Sequence, residues 1–314
     1  MEKARARTSA FRPVELKDAT FSADYRNTFT RLESRNVLAA LPGAKRTDET
    51  ILYAAHWDAY GIGPADATGA TIRPGAADDA VGVAGVIETA RAFKAGPTPD
   101  RTILFAAWTA EDRGLLGSEF YAQRAEPALA KMVANYTFDV LQTAGPARDL
   151  VLVGAGQNEL ETDLAAIAAR HGRTITPDPK PERALFYRAD HFSLAKRGVP
   201  VMLFMGMGGG GDLIAGGRAA GEAWVEAYTA RCYHQTCDRW EPTQNYQGAA
   251  DDVTLAFEAG LGLANSNLWP DWNETSEFKP VRAKTTTARL ASPVHGGGGP
   301  PAEKRVVEGA KTGR

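Results

Sequence analysis

The stretch from Arg101 to Ala122, RTILFAAWTAEDRGLLGSEFYA, limits what this chain can become more than any other. Its first half, Ile103 to Trp108, is an unbroken apolar run, the pattern of a strand buried on both faces of a parallel sheet. Glu111 and Asp112 follow directly, and Leu115 to Ala122 then reads as a helix. In open α/β sheets, the loops past the carboxyl ends of strands are where ligands and chemistry gather. Adjacent acids repel one another unless something cationic sits between or beside them. A solvated strand-to-helix loop also carries such pairs, so their meaning depends on what ends the other apolar runs.

Those runs repeat the arrangement. Asn36 to Leu41 reads as a short strand closed by Pro42-Gly43, and Thr50 to Ala55 as the next, with His56-Trp57-Asp58 at its end. After a Gly-, Ala- and Pro-rich loop over 59–75, Asp79 to Ala95 places Val83, Val86, Ile87, Ala90 and Phe93 at helical spacing. Asp78 stands just before that helix, where the dipole favours an anion. Met132 to Phe138 is a strand closed by Asp139, and Leu150 to Gly154 another. A helix over 158–171 and a brief edge strand over 174–176 follow. The second half gives a short helix over 190–197, a strand over 199–205, a helix over 219–233 leading to His234, and a closing helix over 252–265. The glycine run 206–211 lacks the ending of a phosphate loop and reads as a mobile pocket rim. Strands alternating with helices predict an α/β three-layer sandwich, a central, mostly parallel mixed sheet flanked by helices. Residues 1–34 read as an approach segment and 35–280 as the folded domain. Residues 281–314, with almost no large apolar side chain, are expected to form a disordered tail.

Composition excludes several classes. The chain has 314 residues with formal net charge −2 and no basic run, so nothing electrostatic calls for nucleic acid. No apolar stretch reaches the ~18 residues that a membrane span requires, and the N-terminus lacks the apolar segment of a secretory signal. Cys232 and Cys237 are too few for a disulfide scaffold; they bracket His234 as a local disulfide or as two quiet thiols. A thiolate zinc site is disfavoured by their spacing and their acid-rich company.

The polar residues at strand ends and helix starts are His56, Asp58, Asp78, Glu111, Asp112, Asp139 and His234. Imidazoles with several carboxylates are the donor set of zinc or a similar divalent ion. Three carboxylates and two histidines suit two metals that share one carboxylate, leaving a further acid free as a base. Each residue alone has a plainer explanation: His56 as a core histidine, Asp78 as a helix cap, Asp139 as a turn former, His234 as a partner of Asp238. Gathered at one edge of one sheet, they point to a metal site.

HWD at 56–58, GAADDAVG at 75–82, AEDRGLLGS at 110–118, Asp139 after its strand, DHFSLAKRGVP at 190–200 and YHQTCD at 233–238 together resemble the M28 family of zinc metallopeptidases. The resemblance runs from about Glu33 to Phe278 and is strongest to members with an early protease-associated insertion. It implies the zinc-exopeptidase, phosphorylase/hydrolase-like fold and a hydrolase acting on peptides with two zinc ions. One ion would take His56, Asp139 and one oxygen of Asp78; the other would take Asp112, His234 and the second oxygen of Asp78. Glu111 matches the general base that serves a metal-bound hydroxide, and Asp58 the acid that steadies the His56 ring. The Asp78–Asp79 bond is expected to be cis. Tyr187, Arg188 and Asp190 align with the substrate pocket, while His191 reads as structural. Ala189 stands where relatives often carry serine, and Asp79 where many carry asparagine. The implied activity is that of an aminopeptidase. Carboxypeptidase-like or glutaminyl-cyclase-like chemistry is the alternative, and a non-catalytic interaction domain is the rival outside enzymology. Relatives are usually exported, and the resemblance implies that the protease-associated insertion and the segment before it are absent from this chain.

Overall fold

The computed structural model describes residues 17–290 of the chain. Residues 17–33 belong to a first unit and contain no helix or strand; the second unit begins at Ser34. In chain order its elements begin with β1 (Val37–Leu41), β2 (Arg46–His56), a small hairpin of β3 (Gly61–Ile62) and β4 (Ile72–Arg73), then α1 (Val81–Ala95) and β5 (Arg101–Trp108). There follow α2 (Leu116–Arg124), α3 (Glu126–Leu129), β6 (Met132–Phe138), β7 (Asp149–Leu152), α4 (Leu160–Arg170) and β8 (Thr174–Pro177). The second half contributes α5 (His191–Ala195), β9 (Val201–Phe204), α6 (Gly217–Arg231), α7 (Gln247–Ala264), α8 (Lys279–Ala283) and α9 (Thr286–Leu290).

The central sheet runs β1-β5-β2-β6-β9, parallel except for β1, which pairs antiparallel with β5 at the edge. β2 lies in the middle, and its residues from Ile51 to His56 are all buried. Because successive side chains point to opposite faces, Ile51, Tyr53 and Ala55 join one apolar core with α1, α4 and α7, whereas Leu52 and Ala54 join the other. That second core takes in Leu194 of α5 and Tyr228 of α6. Two cores on one twisted sheet make the three-layer α/β sandwich that the patterning predicts. At the open edge, Val37 and Leu38 of β1 remain exposed.

Several local readings differ. β2 starts at Arg46 rather than Thr50, and the 59–75 loop contains the β3–β4 hairpin. β7 and β8 form their own parallel pair outside the central sheet. α7 begins at Gln247, several residues before the predicted Asp252. The glycine run is no mobile rim: residues 207–210 are buried, and a Cβ on Gly210 would stand 2.1 Å from the Glu222 nitrogen of α6. Glycine serves close backbone packing there.

The predicted tail also starts too early, because residues 281–283 and 286–290 fall in α8 and α9. Arg282 is buried, donates to the Met132 carbonyl at 2.9 Å and lies over the Trp269 ring. A count of apolar residues misses a segment anchored by one guanidinium that serves carbonyls and an aromatic face. The rest of that segment, 291–314, and the start of the approach segment, 1–16, lie outside the described residues.

Candidate metal centre

Parallel strands ending at one edge bring the polar residues together. β2 ends in His56, β6 is followed directly by Asp139, and the loop from β5 to α2 carries Glu111 and Asp112. Asp78 lies in the tight turn ahead of α1, and His234 in the loop after α6. That turn needs Gly75, which has φ 69° and whose missing Cβ would stand 2.2 Å from the Asp78 carbonyl oxygen. The Asp78–Asp79 peptide is cis. Ala110, Val140 and His234 adopt left-handed backbone conformations (φ 55°, 50° and 62°) beside the acids and in the His234 loop itself. Such conformations cost energy and concentrate where a side chain must be aimed.

Two triads form. His56, Asp78 and Asp139 place one ligating atom each within 4.8 Å of one another, and so do Asp78, Asp112 and His234. Asp78 belongs to both: its Oδ1 lies 2.9 Å from His56 Nε2 and its Oδ2 lies 3.0 Å from His234 Nε2. Asp112 Oδ1 is 3.2 Å from the same His234 nitrogen. Asp78 Oδ2 and Asp112 Oδ1 are nevertheless buried without a hydrogen-bond partner, so these contacts lack hydrogen-bond angles. Lone pairs of nitrogen and oxygen converging in this way suit a shared cation better than a proton. Glu111 Oε2 lies 4.0 Å from His56 Nε2 and is in neither triad.

Charge points the same way. Burial first, and then the Asp139 carboxylate, pushes Glu111 up to about 10. Burial pushes Asp139 up to about 8, with Asp78 and Asp190 adding to it, and Asp112 up to about 6. Against burial, the His234 and His56 rings hold Asp78 down to about 2. Acids stacked like this cannot all ionise unless a positive ion joins them. Two histidines and three carboxylates are a fitting set for zinc.

The surroundings set the aim of each group. His56 Nδ1 meets the Asp58 carbonyl at 3.1 Å, while the Asp58 carboxylate is 3.7 Å from it and accepts the Glu111 N–H at 3.1 Å. Asp79 is buried and accepts the N–H groups of His56, Gly82 and Val140, each at 3.2 Å. Its carboxylate thus fastens β2, α1 and the end of β6 to one point. Asp238 does the same for Asp78: it accepts the N–H of Ala77 (2.9 Å), the N–H of Asp78 (3.1 Å) and the Tyr228 hydroxyl (3.0 Å). Sequence reasoning had considered Asp238 only as a partner for His234. Its place at the end of YHQTCD was the available signal.

The His234 loop is held from two more sides. A Cys232–Cys237 disulfide closes it, which settles the choice left open by spacing. Asp66, at the tip of the β3–β4 hairpin, accepts the Thr236 hydroxyl, and the Tyr60 ring lies 4.2 Å from the His234 ring. A cleft of about 420 Å³ opens beside Glu111, Asp112 and His234, lined also by Tyr187, Arg188 and Tyr233. The Tyr187 hydroxyl is committed to Glu277 at 2.8 Å. Tyr233, which sequence reasoning passed over, lies beside Glu111 and Arg188. Asp190 does not line the cleft; it is buried, with Oδ1 unpartnered. His191 is fully buried against Phe186, and burial pushes it down to about 3, so it is neutral. No helix among the described residues is long and apolar enough to cross a membrane.

A family model for peptidase family M28 matches residues 36–257. A protein of Pyrenophora teres f. teres described as a probable zinc metalloprotease is 38% identical over 105 residues, 33% of this chain and 22% of that protein. A probable lipoprotein aminopeptidase of Mycobacterium tuberculosis is 28% identical over 75% of this chain and 44% of its own length. Among solved structures, a zinc aminopeptidase from Bacillus subtilis is 21% identical with a TM-score of 0.54, covering 78% of this chain and 52% of that one. The chain therefore spans about half or less of the length of these relatives.

Proposed function

Because the chain belongs to peptidase family M28, we propose that it is a di-zinc exopeptidase, an aminopeptidase that releases N-terminal residues from peptides. What carries this reading is the pair of triads sharing Asp78, with Glu111 beside them and outside both. His56, Asp139 and Asp78 Oδ1 would hold one zinc ion; Asp112, His234 and Asp78 Oδ2 would hold the other. When bound, the ions acidify a water and polarise the substrate carbonyl.

The chain's own groups do the rest. Glu111 accepts the proton of the attacking water and delivers it to the departing amine. Its raised affinity for a proton, from burial and from Asp139, suits the second half of that transfer. Asp58 orients two participants, His56 through its carbonyl and Glu111 through that residue's N–H. Arg188 and Tyr233 line the cleft, where they would donate to the developing oxyanion or to the peptide backbone. Tyr187 contributes a wall.

The test combines metal analysis with turnover. The expected outcome is two zinc ions per chain by elemental analysis and hydrolysis of aminoacyl anilides. Glu111→Ala keeps both ions and loses a factor of about 10²–10⁴ in kcat. Peptides blocked at the N-terminus are spared, whereas those blocked at the C-terminus are cut. Cleavage of the first set alone would make the enzyme a carboxypeptidase, and no metal uptake from excess zinc would make it a non-catalytic relative.

A further inference from the structure

The cleft beside the metal centre is polarised along its depth. Its acids at the metal centre are buried, with the Asp112 and Glu111 side chains 2% and 11% exposed. Its cations stand farther out: Arg188 is exposed, and Lys196 is 41% exposed. The Arg188 guanidinium makes no hydrogen bond or ion pair among the described residues. The Lys196 ammonium lies 5.1 Å from the Phe192 ring centre, so its stem is laid along the cleft wall.

Glu119 is an acid on that side, and it is already met from several directions. Lys196 reaches it at 2.9 Å, Arg197 at 2.7 and 3.2 Å, and the Gln123 amide at 3.1 Å. On this side Arg188, Lys196 and, behind the wall on Glu119, Arg197 stand against Glu119 and Glu277, the acceptor of the Tyr187 hydroxyl, which leaves one more cation than acid. A cleft of about 420 Å³ admits a ligand of a few residues. Its two ends match the two charges of a short peptide, the ammonium toward the buried acids and a carboxylate toward the cations.

Resting on the exopeptidase reading above, we propose that Lys196 and Arg188 form a carboxylate subsite for the residue that follows the scissile bond. The carboxylate comes from the C-terminus of a dipeptide or from an acidic side chain at that position. Lys196 is then a specificity-determining residue, and Glu119 is the competitor that tempers it. A substrate lacking the carboxylate forgoes these charge-assisted contacts and binds less well.

The experiment compares Ala-Ala, its C-terminal amide Ala-Ala-NH2, and Ala-Glu-NH2 on the zinc-loaded protein. The free acid is expected to exceed the amide about tenfold in kcat/KM, mainly through KM, the usual worth of one charge-assisted contact. Recovery with Ala-Glu-NH2 shows that a side chain also fills the subsite; failure to recover restricts it to the main-chain terminus. Lys196→Met shrinks the gap between acid and amide, and Glu119→Gln widens it, with thermal midpoints recorded to establish folding. Calorimetric binding of the same peptides to Glu111→Gln protein reads the subsite without turnover. If no peptide is cut but the acid still binds about tenfold tighter, the peptidase reading fails and the subsite stands. Equal handling of acid and amide within twofold in both assays, or an unchanged gap in Lys196→Met, overturns the subsite.

Discussion

Replacing Asp238 by asparagine removes one oxygen and no volume, and its consequence follows from three hydrogen bonds. Asp238 accepts from the Ala77 N–H on one oxygen and from the Asp78 N–H and the Tyr228 hydroxyl on the other. An asparagine has a single acceptor oxygen, so whichever way the amide turns, one of the two backbone N–H groups faces another donor. Leaving a buried N–H unsatisfied costs about 1–3 kcal/mol. The loss falls on the turn that aims Asp78, the carboxylate common to both triads. Displacing a group that orients a ligand lowers metal affinity by about 10–100-fold, and here the displaced carboxylate belongs to both triads. Tyr228→Phe is the internal control: it deletes a bond to Asp238 and leaves both N–H groups paired, so about 1 kcal/mol and a small change in zinc affinity are expected. The assay is zinc affinity by competition with a chelator, alongside urea unfolding of the metal-free protein. Wild-type affinity for both ions together with wild-type stability in Asp238→Asn would refute the reasoning.

Other substitutions and conditions have equally definite outcomes. Gly260→Ala puts a Cβ 1.7 Å from the Tyr53 hydroxyl oxygen in the fully buried centre of the sheet, so a loss of about 1–3 kcal/mol is expected in denaturant unfolding. Cys237→Ser opens a loop with a sequence separation of 5, which lowers stability by about 2 kcal/mol and loosens zinc held by His234, read by calorimetry and chelator competition. Zinc affinity falls with pH, because Asp139 (pushed up to about 8) and Asp112 (about 6) must shed protons to ligate. Titrations at pH 8 and pH 6 show weaker binding and more proton release at the lower value. For the metal-free fold the sign is opposite. The folded pKa of Asp139 lies above the 3.8 of an ordinary aspartate, so the folded state binds more protons than the unfolded chain through that window. The metal-free protein therefore gains stability as pH falls from about 8 toward 4, measured as the midpoint in urea.

How much of this was legible in the chain depended on how local the signal was. Ile103–Trp108 announced itself as a central strand because no polar position interrupts it, and Met132–Phe138 because it is apolar apart from Asn135 and Thr137, which are buried with the rest of that strand. His56, Glu111, Asp112 and Asp139 were found by the same logic, since each sits where an apolar run stops. Asp238 and Asp79 were harder because their roles lie in main-chain N–H groups contributed by distant segments, which no spacing rule encodes. The glycine run looked loose for want of side chains, yet the missing side chains are what let α6 approach. Arg282 hid in a stretch that looked too polar to fold.

The loop from Cys232 to Asp238 does two jobs at once. It presents the His234 ring and, through Asp238, fixes the main chain of the carboxylate opposite that ring. The two triads are therefore mechanically joined, and a strain introduced at either is felt at the other. Attempts to re-engineer selectivity will find little freedom here, since any loosening of this segment dismantles the whole centre. The opposite wall, around Phe192 and Lys196, answers to no such obligation and is where laboratory or natural variation has room to act.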